Sequence, residues 1–276
     1  MSDLIPFERY RGGHVLTLPV VVCDRFPTRF MLDTGAGVSV VSRRLAERAG
    51  VAPGPLTYAG KRMSGQTITG PLAQIPSISV GTVARRDVVV GLYDLEGFFP
   101  ADSGIEGILA AQFFEPWPYA VNSVTRTVRV ERDGPGPDRP KVPVEAPILV
   151  QRDGPSVEMF LDLRLPSGSI ARVEVDTGSD SLILHSRFME ELGVNPDRAN
   201  VTRRDGKDET GHAYVRYFAQ LQGRVAVAAA PTVGQNDPRV MFQEIIYDGL
   251  VGDDFLRSFE VTYDLGRSRL TFADPG

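Results

Sequence analysis

The sequence predicts an all-β protein with a few short helices, built as two similar halves. Short runs rich in Val, Ile, Leu and Thr alternate with turn residues along most of the chain, which is the spacing of a hairpin-rich fold. Three blocks of the first half return in the same order in the second, and such self-similarity marks a repeated unit. Between the copies, residues 132–143 read RDGPGPDRPKVP, dense in Pro and Gly and poor in apolar side chains, as an exposed linker is. The expected lobes are therefore residues 1–131 and 144–276.

The first block centres on Asp-Thr-Gly. Residues 30–41 read FMLDTGAGVSVV and residues 173–184 read VEVDTGSDSLIL, so an apolar run delivers an acid at a strand end and a second apolar run follows. The glycine lets the backbone turn beside the acid, and the threonine hydroxyl is free to bond locally. Residues 33–51 align on 176–194 without gaps, at an offset of 176 minus 33, or 143 residues. In both copies a helical spacing follows (Leu45 and Ala49; Phe188 and Leu192) and stops at Gly50 or Gly193, as a C-cap does.

The second block pairs SGQTITGPLAQI (64–75) with TGHAYVRYFAQL (210–221), placing Gly65 and Gly211 at hairpin tips. The third pairs residues 106–130 with 248–272 at an offset of 142. Each copy opens on Gly, two aliphatics and a tiny residue (Gly107, Ile108, Leu109, Ala110; Gly249, Leu250, Val251, Gly252), passes through a short apolar turn of helix and ends as a hairpin. Trp117, Phe113 and Phe114 in this block read as packing.

Composition narrows the function. The 276 residues are 42% hydrophobic and 24% charged, an ordinary soluble balance, and suffice for two lobes that each bury a core. A net charge of -5 and a pI near 5.3, without basic runs, remove the electrostatic case for nucleic acid. The single cysteine, Cys23, excludes an intrachain disulfide and a thiolate zinc site; flanked by Val22 and Asp24 it reads as a buried or edge-strand thiol. The N-terminus lacks an apolar core of signal-peptide length, and nothing approaches the roughly 18 apolar residues of a membrane span, so a cytoplasmic protein without membrane contact is expected.

One Asp-Thr-Gly is ordinary turn chemistry, but two in matching contexts suggest facing carboxylates, Asp33 and Asp176, able to split a bond with water by general acid and base chemistry. His14, His185 and His212 are scattered and read as surface or hydrogen-bonded residues rather than ligands or bases, and Cys23 has no histidine partner in a recognisable motif. Ser39 and Ser179 lack the Gly-x-Ser-x-Gly elbow of an esterase.

Asp-Thr-Gly followed by Ala36 or Ser179, a downstream glycine-bearing hairpin and a Gly-aliphatic-aliphatic block together resemble the aspartic peptidases, in particular the retropepsin-like branch. The resemblance covers nearly the whole chain, as two fused retropepsin-type halves. It implies the bilobal acid-protease fold, two closed β lobes related by a pseudo-two-fold axis, with an active site between them. It further implies an aspartic endopeptidase acting on peptide or unfolded-protein substrates, with no cofactor and no metal; because both half-sites lie in one chain, an active monomer is expected, unlike the dimeric retroviral members it resembles.

Residue by residue, the resemblance makes Asp33 and Asp176 catalytic. Thr34 and Thr177 tie the loops together, and Gly35 and Gly178 offer backbone acceptors to substrate. Ala36, Ser179, Asp180, Ser64, Gly65 and Gly211 become substrate-binding candidates, and Phe98, Phe99, Met241 and Phe242 specificity candidates. Gly37 departs from the acid that Asp180 represents. The hairpin tips are unequal, MSGQ (63–66) against the charged RRDGKDETG (203–211), and neither carries the tyrosine of a pepsin flap. Ser179 is expected to donate its hydroxyl to Asp176 where Ala36 has none to give, and, since activity requires one and only one proton on the pair, a bell-shaped profile with its optimum on the acidic side of neutrality is expected. A non-catalytic peptide-binding module on the same fold is the alternative.

Overall fold

The computed structural model describes residues 3–10, 13–132, 143–208 and 211–276. The chain is mostly β and bilobal, with strand over 53% of it and helix over 7%, so the expected class is the observed one. Apart from its end residues, the expected linker lies outside the described residues.

One sheet of eight strands is drawn from residues 8–109 and another of ten from residues 149–251. Their centres are wired alike. In the first, Ile105–Leu109 inserts between Phe26–Leu32, its parallel neighbour, and Val40–Ser42, its antiparallel one. In the second, Gly249–Val251 inserts between Ile170–Val175 and Leu182–His185 in the same senses. The strands before and after each Asp-Thr-Gly are thus held apart by the strand of the third block.

The first sheet closes on itself, because Thr67–Val80 runs unbroken from the hairpin tip to pair with Val15–Val22. In the second half the corresponding path is split into Ala213–Gln220 and Arg224–Val227, separated by a turn that includes Gly223 (φ +99°). The first piece stays beside Arg239–Gln243 and the second reaches Ser156–Arg164, so the path is broken at the turn and no single strand bridges the two ends of this sheet.

A six-stranded sheet joins the halves. The hairpin of Tyr119–Asn122 and Thr127–Val130 lies beside that of Glu260–Asp264 and Arg269–Ala273, with Asp3–Pro6 and Val144–Pro147 at the edges. Where the two hairpins meet, Ala120 faces Thr262, residues 142 apart. Next to them the buried rings of Tyr119 and Tyr263 stack at 4.9 Å, with Phe114 against Tyr119 at 4.5 Å. Phe113 and Phe114 are core residues, and Trp117 packs on the core's edge beneath the guanidinium groups of Arg85 and Arg132. One continuous apolar cluster runs through both halves. Among the described residues no helix is long and apolar enough to cross a membrane.

The helical turns after the two Asp-Thr-Gly motifs differ. Arg43–Arg48 is an α-helix, capped by Ser42, whose hydroxyl accepts from the Leu45 amide at 3.1 Å. The second motif is followed by a single 3-10 turn, Ser186–Phe188, in which His185 Nδ1 takes the Arg187 amide. Both turns nevertheless end alike: Val51 donates to Ala46 and Val194 to Met189, over glycines with φ of +71° and +68°. Cys23 is neither on a strand nor fully buried. It occupies a hairpin turn with Asp24, both at positive φ, between Val15–Val22 and Phe26–Leu32.

Candidate active site

Each Asp stands at the end of its strand and is fixed by the inserted strand: the Asp33 amide donates to Leu109 O and that of Asp176 to Val251 O, both at 3.0 Å. The next residues lock the two loops together. Thr34 Oγ1 donates to Val175 O at 2.7 Å and accepts from the Thr177 amide at 3.0 Å; Thr177 Oγ1 donates to Leu32 O at 2.9 Å and accepts from the Thr34 amide at 3.1 Å. Both threonines are buried, so these four bonds are shielded from competing water.

The glycines allow the carboxyl groups to meet. A Cβ on Gly178 would lie 2.6 Å from Asp33 Cγ, and one on Gly35 would lie 2.7 Å from Asp176 Cγ. Each carboxyl therefore rests against the backbone of the opposite loop. The Asp33 Oδ1 atom accepts from the amides of Gly35 (3.0 Å) and Ala36 (3.1 Å), and Asp176 Oδ1 from that of Gly178 (2.7 Å).

The two side chains are in hydrogen-bonding contact with each other. Burial, then the charge of Asp176, then the shared hydrogen bond push the Asp33 carboxyl well above the usual carboxylate range. Burial also raises Asp176, but the bond from Asp33 and the surrounding amides oppose it. Like charges in one dry site do not both ionise cheaply, so the two carboxyls titrate as a coupled pair and retain a proton above the usual carboxylate range. Two carboxyls sharing one proton are the familiar arrangement of the aspartic peptidases. The Ser179 contribution to this field is its backbone amide; its hydroxyl makes no hydrogen bond to Asp176, so the expected side-chain asymmetry with Ala36 is absent.

Around the pair lies a cleft of about 620 Å³. Asp33, Gly35, Ala36, Asp176, Gly178, Ser179 and Asp180 line it, while Thr34 and Thr177 lie buried beneath. Of the specificity candidates, Phe98 and Met241 line it. Phe99 instead packs with Val15, Met31, Leu95 and Ile105, and Phe242 is wholly buried. Ser64, Gly65 and Gly211 are not in its wall. The reason is that the first hairpin tip docks onto the second half: Met63 O accepts from the Ile246 amide at 2.8 Å, and Gly65 sits against Ile246. Arg62 meets Asp208 of the second hairpin at 3.7 Å, bringing the two tips together, and Gly211 closes the turn behind Asp208.

Gly37 is explained by packing. A Cβ there would lie 2.3 Å from Ser156 Oγ and 2.8 Å from the Tyr58 hydroxyl, and its carbonyl accepts from the Val157 amide. His14 lines the cleft, whereas His185 caps its turn and His212 is exposed. The Ser39 hydroxyl takes the Ala110 amide at 3.1 Å.

Sequence reasoning passed over Tyr58, Arg216 and Glu174, all in the cleft wall. For Glu174 a signal existed: it lies two residues before Asp176 on a strand and so shares its face, an acid between Val173 and Val175.

Residues 18–113 match the family model described as aspartyl protease, a segment that holds Asp33 and its flanking strands. The match supports an aspartyl protease family. No curated protein matches the chain. The aspartyl protease match ends before the second Asp-Thr-Gly, whose place opposite Asp33 is known from the geometry alone.

Proposed function

We propose that this chain is an aspartic endopeptidase that hydrolyses peptide bonds with water activated between Asp33 and Asp176. The observation that carries the reading is the reciprocal threonine lock, which holds two acids face to face in the floor of a cleft. Ionised Asp176 takes a proton from the water as its oxygen attacks the amide carbon. Protonated Asp33 hydrogen-bonds the developing oxyanion, and a proton then passes to the leaving nitrogen as the C–N bond breaks. Two hairpins whose tips meet across the halves suit an extended peptide held beneath them.

We read the two halves as copies of one unit, so that a single chain supplies both acids and acts as a monomer. The equal offsets of the helix ends and the pairing of Ala120 with Thr262 support this. The test is cleavage of casein or another unfolded protein between acidic and neutral pH. Asp33→Asn and Asp176→Asn should each lower kcat by about 10³-fold or more, and the double variant should be scarcely worse, because the pair acts as a unit. Specific activity per chain should survive dilution. Near-normal turnover by either single variant refutes the dyad, and activity lost together with a dimer refutes the monomer.

A further inference from the structure

The second half of the cleft carries an acid that the proposed hydrolysis does not use. Glu174 lines the cleft, is only 6% exposed, and among the described residues accepts no hydrogen bond and pairs with no cation. Burial first, then the charges of Asp176, Glu158 and Asp33, push this carboxyl well above the usual carboxylate range, so without a cation it is held neutral, and a positive charge brought against it lets it ionise.

Its surroundings select for positive charge. In the strand register Glu174 stands between Phe160 and Leu250. Phe160 meets the Tyr247 ring edge-on at 5.1 Å, and the Tyr247 hydroxyl reaches Glu158 at 3.5 Å. The charges that act most strongly on Glu174 are all acids: Asp176, then Glu158 and Asp33. Arg216, a cation in the cleft wall, is engaged elsewhere, its Nε on Gln243 Oε1 at 2.8 Å and its guanidinium over the Tyr214 ring at 3.7 Å. The 143-residue offset makes Met31 the counterpart of Glu174, and Met31 lies in an apolar cluster with Val15, Leu95, Phe99 and Ile105. The two sides of the acid pair therefore face different chemistry.

We propose that Glu174, with Glu158, Tyr247 and Tyr58 around it, forms a subsite for one cationic side chain, Lys or Arg, of a substrate residue next to the scissile bond. The inference rests on the peptidase reading of the cleft. An ammonium or guanidinium group supplies the counter-charge on which the carboxyl ionises, and its alkyl stem packs on Ile183, Met241 and Leu250, which line the same cleft. A neutral side chain there leaves the carboxyl unpaired.

The test is a peptide series in which each residue flanking the scissile bond is in turn Lys or norleucine, its neutral analogue. In the wild type, Lys should raise kcat/KM by about 10-fold or more at one of the two positions. Glu174→Gln should bring that ratio to within about 3-fold of unity, and Glu174→Met should favour norleucine. Fluorescence anisotropy of the same peptides bound to Asp33→Asn should show the same preference without turnover. Cleavage with no Lys preference in the wild type, or a preference that Glu174→Gln leaves intact, overturns the subsite and leaves the peptidase reading standing. Preferential binding of Lys peptides with no cleavage of any peptide supports the subsite and overturns the peptidase reading instead.

Discussion

Thr34→Val replaces a hydroxyl by a methyl at nearly constant shape, so it removes the lock between the two loops without opening a cavity. The lost hydroxyl serves two buried backbone groups, Val175 O at 2.7 Å and the Thr177 amide at 3.0 Å. Each buried group left without a partner costs about 1–3 kcal/mol, so the substitution should destabilise by about 4 kcal/mol. That is a large share of the roughly 5–15 kcal/mol that holds a folded protein together. Thr177→Val strands Leu32 O and the Thr34 amide and should cost a similar amount. The double variant should lose less than the sum, because loops that separate admit water to the groups they expose. Thr34→Ser keeps both bonds and forfeits a methyl group, about 1 kcal/mol. Urea unfolding, with the slope checked to be constant across variants, measures all four. A Thr34→Val protein within about 0.5 kcal/mol of the wild type would refute the claim that these bonds hold the site.

Two further outcomes test the acid pair. Gly178→Ala places a methyl 2.6 Å from Asp33 Cγ at a glycine outside the left-handed region, so the main chain tolerates it while the carboxyl is displaced; kcat should fall about 10²-fold, and unchanged kcat would show that the close approach is unimportant. The raised carboxyls also set a pH dependence of stability. Between the unfolded carboxylate value, about 3.9, and the raised folded one, the native protein holds more protons than the unfolded chain, so stability is fully present below the first and is lost as pH rises through the second. Asp33→Asn removes that loss, and calorimetry should find its Tm above wild type at pH 7 but not at pH 3.5. A Tm difference independent of pH would contradict the shared proton.

The strand-rich class, the recurrence of Asp-Thr-Gly and the glycine ends of the two helical turns were legible in the order of residues, because they depend on local backbone geometry and on a pattern repeated along the chain. Asp33 and Asp176 became candidates the same way, since a motif found twice in one context narrows its meaning. What touches what was legible only in three dimensions. The hairpin tips of Ser64, Gly65 and Gly211 stand outside the cleft wall because Met63 and Gly65 dock on Ile246 and Arg62 meets Asp208, contacts between residues far apart in the chain. Phe99 and Phe242 turn into apolar clusters while Phe98 and Met241 face the cleft, a choice made by side-chain direction on neighbouring residues. Gly37 cannot carry an acid like Asp180 because Ser156 of the other half fills the space. Ser179 acts through its amide rather than its hydroxyl, since the loop turns that N–H toward Asp176. Proximity between distant residues is set by packing and by hydrogen bonds across the halves, and neither is encoded in local order.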